Sequence, residues 1–315
     1  MALPQAERHP HHPVNTGYRL ALAGLITLGF VGFEAAAGWY ANSLALLTDA
    51  AHNLTDALAL GLTWYAHRLA DRPANADKTF GYHRAGILVA LVNSTTLVLI
   101  ALGIFHEAWG RFFAPPTVAS DVLMSVGVAA FLVNLLTAWM VSHGSEHDLN
   151  LHSAFLHLLG DVFSTVGAIA AGIGIWFTGK FWLDPAVSVL IGLLILWNAW
   201  TILRETLTIL LESTPAGIDM SQIVRDILSV KGVLGVHDLH VWSISRSLKM
   251  LSAHVVIDDI SISQATVIQR NIRVAMHENY GVAHCTLQME CEGCDPDTLY
   301  CNISSSSHSH HGHDH

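Results

Sequence analysis

The 315-residue chain is 52% hydrophobic and only 13% charged, with a mean hydropathy of +0.43, which excludes an ordinary water-soluble globular protein. Its formal net charge of −10, with no long run of Lys or Arg, gives nucleic acid nothing to hold and excludes it as a partner. Histidine, at 21 residues, is the residue type in excess.

Residues 1–16 are polar and include His9, His11 and His12 among prolines, which predicts a His-rich arm. No short apolar core followed by a cleavage site is present, so no signal peptide is expected. Apolar runs follow at about 18–40, 43–67, 85–109, 118–141 and 151–177, and a sixth runs from Asp184-Pro185 to near Arg204. Each reaches the ~20 residues that a helix needs to cross a bilayer. The expected fold is therefore a polytopic α-helical membrane protein with six transmembrane helices over residues 17–211. Glu34, inside the first run, must face the bundle interior or a water path. Arg68, Arg72, Lys78 and Arg84 crowd the connection between runs two and three, whereas those after runs one, three and five hold only Arg111 and Lys180. The positive-inside rule then places both termini in the cytoplasm.

From Glu212 the composition becomes that of a soluble domain, expected over 212–303. Ser221 to Val230 reads as an amphipathic helix, His237 to Ile244 and Leu251 to Ile257 as strands, Ser263 to Glu278 as a helix and His284 to Glu290 as a strand. The order αββαβ suits a small sheet covered by helices on one face. Cys285, Cys291, Cys294 and Cys301 all fall here, too clustered to frame the molecule, and read as thiols or metal ligands rather than disulfides. Residues 304–315 alternate His with Ser, Gly and Asp and predict a disordered tail, either metal-collecting or an expression tag; the interspersed residues argue against a tag.

Two stretches carry the chemistry. His52-Asn-Leu-Thr-Asp56 and His157-Leu-Leu-Gly-Asp161 each place His-x-x-x-Asp in an apolar segment. Residues four apart share one helix face, so each stretch offers one imidazole and one carboxylate in the same direction. A lone pair of this kind is as easily a hydrogen bond between helices. Two such pairs supply two nitrogens and two oxygens, a tetrahedral set suited to Zn²⁺. Asp49, three residues before His52, stands on roughly the same side as a supporting or entry carboxylate.

These pairs, together with Phe80-Gly-Tyr-His-Arg84 before the third span and Gly235-Val-His-Asp-Leu-His-Val-Trp242 with His254, resemble the cation diffusion facilitator family, and within it the zinc-transporting members. The resemblance covers about residues 18–300. It implies a homodimer in the lipid bilayer, six spans per protomer, a cytoplasmic ferredoxin-like domain, and Zn²⁺/H⁺ antiport that moves metal out of the cytoplasm by alternating access. Carried over by position, the transport site is His52, Asp56, His157 and Asp161, with His52 favouring zinc over cadmium. By the same resemblance His237, His254, His284 and Glu290 form a cytoplasmic zinc site. Cys291, Cys294 and Cys301, with His9, His11 and His12, form an accessory metal set, and Arg84 with Glu212 forms an ion pair tying the helix bundle to the cytoplasmic domain. The chain departs from many zinc members in lacking a long His-rich loop between spans four and five, where only His143 and His147 remain. A bacterial inner membrane is expected in preference to an organelle membrane.

Two alternatives come from other functional classes. A membrane metallohydrolase needs three ligands, an open position and a general base, commonly as His-Glu-x-x-His, and the chain has no such motif. A metal sensor that does not transport, in which the soluble domain is the working part, is the other alternative, and zinc uptake into proteoliposomes discriminates it from a transporter. The protein is thus expected to be a secondary transporter rather than an enzyme.

Overall fold

In a computed structural model of the protein, residues 14–142 and 149–291 are described, with side chains over 26–140 and 158–291. The described elements fall into two compact units, one drawn from residues 14–68 and 88–204 and one from residues 69–87 and 205–291.

Six long helices come first: α1 (Val14–Tyr40), α2 (Leu44–Ala70), α3 (Ala85–Phe113), α4 (Ser120–Ser142), α5 (Leu149–Thr178) and α6 (Leu183–Leu210). Among the described residues, four helices are long and apolar enough to cross a membrane: α3, α6, Ser120–Met140 of α4 and Leu158–Thr178 of α5. Helix α2 is as long, but Asp49, His52, Asp56 and Arg68 dilute its apolar character. Large side chains such as Trp39, Leu99, Phe163 and Trp197 are exposed on these helices, a surface that lipid and not water would cover. Helix α4 lies against α5 and α1. The α4–α5 approach is close because a Cβ on Gly172 would stand 2.7 Å from Met124 Cγ, and one on Gly127 3.0 Å from Ile169 Cγ1. Small residues let membrane helices pack by dispersion where no hydrophobic drive exists between them.

Helix α6 continues past its expected end near Arg204 to Leu210. No Gly or Pro intervenes before Pro215, so the helix continues beyond its apolar run. It stops where Glu212 turns left-handed at φ 56° and the Ser213 N–H returns to Thr208 O at 3.1 Å, a Schellman-type end.

The later elements are α7 (Met220–Leu228), β1 (Val233–Ser243), β2 (Lys249–Ile257), α8 (Ile262–Tyr280) and β3 (Val282–Glu290), in the expected order αββαβ. The sheet runs β1-β2-β3, antiparallel between β1 and β2 and parallel between β2 and β3. One sheet face packs Val241, Leu251, Val255 and Leu287 against Ile223, Ile227, Ile272 and Met276 of the two helices. Ser261 and Gln264 form a capping box at the start of α8, and Gly281 at φ 66° closes its end. The opposite sheet face carries Ser252, His254, Gln288 and Glu290 beside Met250 and Val256.

Candidate metal sites

The turn Ala41-Asn42 starts α2, which brings His52 and Asp56 onto one face one turn apart. His52 Nε2 lies 3.6 Å from Asp56 Oδ2 and 3.5 Å from Asp161 Oδ1, the latter on α5. The His52 and Asp161 side chains are only 10% and 7% exposed. These separations exceed an ordinary N–H···O bond. They match the roughly 3.4 Å between neighbouring ligands of a tetrahedral ion with ligand bonds near 2.0–2.1 Å. His157 lies on α5 one turn before Asp161, and its side chain is outside the described ones.

Further polar groups are buried beside this cluster. Asn53 Nδ2 donates to Asp49 Oδ2 at 3.3 Å, and Glu34 and Ser164 are buried near them. Glu34 and Asp49 thus face the interior, where ionisable groups in a membrane helix can be tolerated.

A second cluster stands on the sheet face away from α7 and α8. His237 on β1 sits directly across from His254 on β2, and Glu290 pairs with Val256, two residues further along β2. Glu290 Oε2 is 3.2 Å from His237 Nε2, and Glu290 Oε1 is 3.0 Å from His254 Nδ1. One ligand atom from each of the three lies within 4.8 Å of the other two. His237 is fully buried, yet neither ring nitrogen makes a hydrogen bond among the described residues, nor does Glu290 Oε2. Buried polar atoms that converge without bonding one another are what a metal ion would satisfy. A bulge between His237 and His240, with Asp238 at φ 47°, turns the Asp238 carboxylate to 3.6 Å from His254 Nε2 and 3.1 Å from His240 Nε2.

His284 does not join this cluster, which corrects the expected four-residue set. Because β2 and β3 are parallel, His284 pairs with Met250 at the other end of the sheet, exposed and about 20 Å along β3 from Glu290. Gln288 is the residue across from His254.

The family profile described as the cation efflux transmembrane domain matches residues 20–211, and that of the cation efflux protein cytoplasmic domain matches residues 215–292. The chain belongs to the cation efflux family. This cation efflux protein is a multi-pass membrane transporter with a cytoplasmic domain, and not an enzyme. It is 38% identical over 309 residues, 97% of its length and 99% of the relative's, to the cadmium, cobalt and zinc/H(+)-K(+) antiporter of Bacillus subtilis. The zinc transporter ZitB of Escherichia coli is 37% identical over 301 residues, 95% of each chain. The metal cation efflux system protein CzcD of Cupriavidus metallidurans is 36% identical over 288 residues, 91% of each chain. A solved structure, the metal-bound C-terminal domain of the CzcD transporter, is 27% identical, covers 23% of this chain and 99% of its own, and has a TM-score of 0.22.

Elsewhere in this transporter, Arg84 Nη2 donates to Glu212 Oε1 at 2.6 Å. Cys291 is exposed, with its thiol 3.9 Å from Asp258 O, and Cys285 is half-buried, its thiol pKa pushed up by burial. Cys294, Cys301, His9, His11 and His12 lie outside the described residues.

Proposed function

We propose that the protein moves zinc, and divalent ions like it, out of the cytoplasm in exchange for protons, at a site made by His52, Asp56, His157 and Asp161. The observation that carries this reading is His52 Nε2 held 3.6 Å and 3.5 Å from two carboxylates on two different helices inside an apolar bundle. Zinc transport in the relatives' names supports the choice of ion. Two carboxylates cancel the charge of one Zn²⁺, which lowers the cost of holding the ion in the membrane. Ligands must be deprotonated to bind, so protons arriving from one side expel zinc and zinc arriving from the other expels protons.

The working unit of this reading is a homodimer with six spans per protomer, both termini in the cytoplasm and a ferredoxin-like cytoplasmic domain. His237, His254 and Glu290 hold a further zinc ion in that domain, where it ties β1, β2 and β3 together.

The test is uptake of radioactive zinc into proteoliposomes with and without an imposed pH gradient, with potassium present or absent on the trans side. A flux that follows the pH gradient and disappears in Asp56→Ala is expected. Zinc uptake indifferent to pH and to Asp56→Ala would overturn the proposal. Dependence on potassium alone would replace the proton as counter-ion.

A further inference from the structure

We infer that Asp184 is a positioning residue for the transport site, setting through α2 where His52 and Asp56 stand. The inference rests on the transport site proposed above.

Asp184 is fully buried in the first turn of α6. Its Oδ1 accepts from Ser43 Oγ at 2.6 Å and from the Ala45 N–H at 3.3 Å, and its Oδ2 accepts from the Leu44 N–H at 2.7 Å. All three donors lie at the start of α2, 139 to 141 residues away in the chain. The first N–H groups of a helix have no partner within it. Ser43 already meets one of them, its Oγ accepting from Leu46 N at 3.3 Å. Asp184 then grips both that hydroxyl and two further N–H groups. Its carboxylate also stands at the N-terminal ends of α2 and α6 together, where two helix dipoles favour an anion.

Two other contacts fix the same turn. Arg111 Nη1 at the end of α3 donates to Asn42 O at 2.6 Å, and the Ala119 N–H before α4 donates to Ala41 O at 3.0 Å. The start of α2 is thereby held against α3, α4 and α6. From Leu44 to His52 is eight residues, or about 12 Å of helix, too short a lever to absorb a shift at its base. His52 must meet Asp161 of α5, so the register of α2 sets that separation. Metal ligands tolerate only about 0.2 Å of error.

A residue that merely stabilised the fold would change how much transporter survives, and not what the survivors bind. The experiment measures zinc and cadmium flux in proteoliposomes, per folded protein by size exclusion, for wild type, Asp184→Asn, Ser43→Ala and Asp56→Ala. Asp184→Asn keeps the shape but removes the charge and turns an amide N–H₂ towards backbone donors. Its apparent zinc KM should rise, by less than the roughly 10–100-fold loss usual when a group bonded directly to a metal ligand is removed, and its zinc-to-cadmium ratio should fall. Ser43→Ala should move both in the same direction by less, and it decides the matter if Asp184→Asn does not fold. Wild-type KM and ion ratio in the folded variants would overturn the inference and leave Asp184 a structural cap. Persistent flux in Asp56→Ala would instead overturn the transport site on which the inference rests.

Discussion

Arg84 Nη2 and Glu212 Oε1 meet at 2.6 Å, and the acid that completes the pair stands in the left-handed region at φ 56°. A non-glycine residue there costs roughly 1–2 kcal/mol, so a glycine at this helix end would relieve strain but release Arg84. The side chains are 42% and 59% exposed, which puts the pair in the surface range of ~0–1 kcal/mol. Arg84→Glu should therefore lower zinc flux by like-charge repulsion, and the added exchange Glu212→Arg should restore part of it. The measurement is a double-mutant cycle on flux, repeated at high salt, where the coupling should shrink. Additive losses would mean that the contact has no functional role. Glu212→Gly separates the two effects, with stability held or raised and flux lowered.

At the proposed transport site, Asp56→Ala and Asp161→Ala each remove one of the two carboxylates that face His52. Both should reduce zinc flux to background while leaving insertion and dimerisation intact. His52→Asp replaces a nitrogen donor with an oxygen, so it should keep transport and raise cadmium flux relative to zinc. An unchanged ratio would remove His52 as a determinant of selectivity.

The long helices, the order αββαβ and the closeness of His52 to Asp56 were legible because each depends on local pattern: apolar run length, alternation, or a spacing of four. The cytoplasmic cluster was only half legible. His237 and His254 belong to an antiparallel pair, but the parallel sense of β3 decides that Glu290 approaches them and His284 does not. Strand sense is a tertiary fact, with no mark in the alternation of β3. Asp184 was visible only as an acid opening a span, since its partners Ser43, Leu44 and Ala45 lie some 140 residues away. Hydropathy marks only where the apolar run of α6 ends, near Arg204, whereas the helix runs to Leu210, where its backbone is capped.

In the cytoplasmic domain, the Tyr280 hydroxyl donates to Asp226 Oδ2 at 2.7 Å and joins the end of α8 to α7. That bond, with a second from Gln222, holds the Asp226 carboxyl below its ordinary value of 3.8. Burial first, and then the bond to Asp226, push Tyr280 up to about 12 from 10.0. A depressed carboxyl favours folding above its unfolded value and loses that contribution as pH falls through the folded one. A raised phenol contributes fully below its unfolded value and loses the contribution as pH rises through the folded one. Tyr280→Phe should thus lower Tm across the neutral range, with the difference from wild type closing below about pH 4. Thermal melts over a pH series check this, and a difference independent of pH would assign the loss to packing instead.

Zinc binding to the cytoplasmic domain should follow the sheet register. In full-length protein carrying Asp56→Ala and Asp161→Ala, so that the transport site contributes nothing, zinc should raise Tm. A hundredfold excess over Kd is worth about 2.7 kcal/mol if only the folded state binds. His237→Ala and Glu290→Gln should abolish the shift, because each removes an atom from the cluster within 4.8 Å. His284→Ala should leave it intact, as that side chain stands beside Met250 at the far end of the strand. Gln288→His should enlarge it by offering a fourth ligand across from His254, at the cost of the 2.7 Å bond from Gln288 Nε2 to Glu290 Oε1. Lowering the pH should weaken the shift in every variant that retains it, since protons and zinc compete for the same imidazoles. A zinc response lost in His284→Ala but kept in His237→Ala would place the ion elsewhere and reverse the correction that the parallel strand imposes.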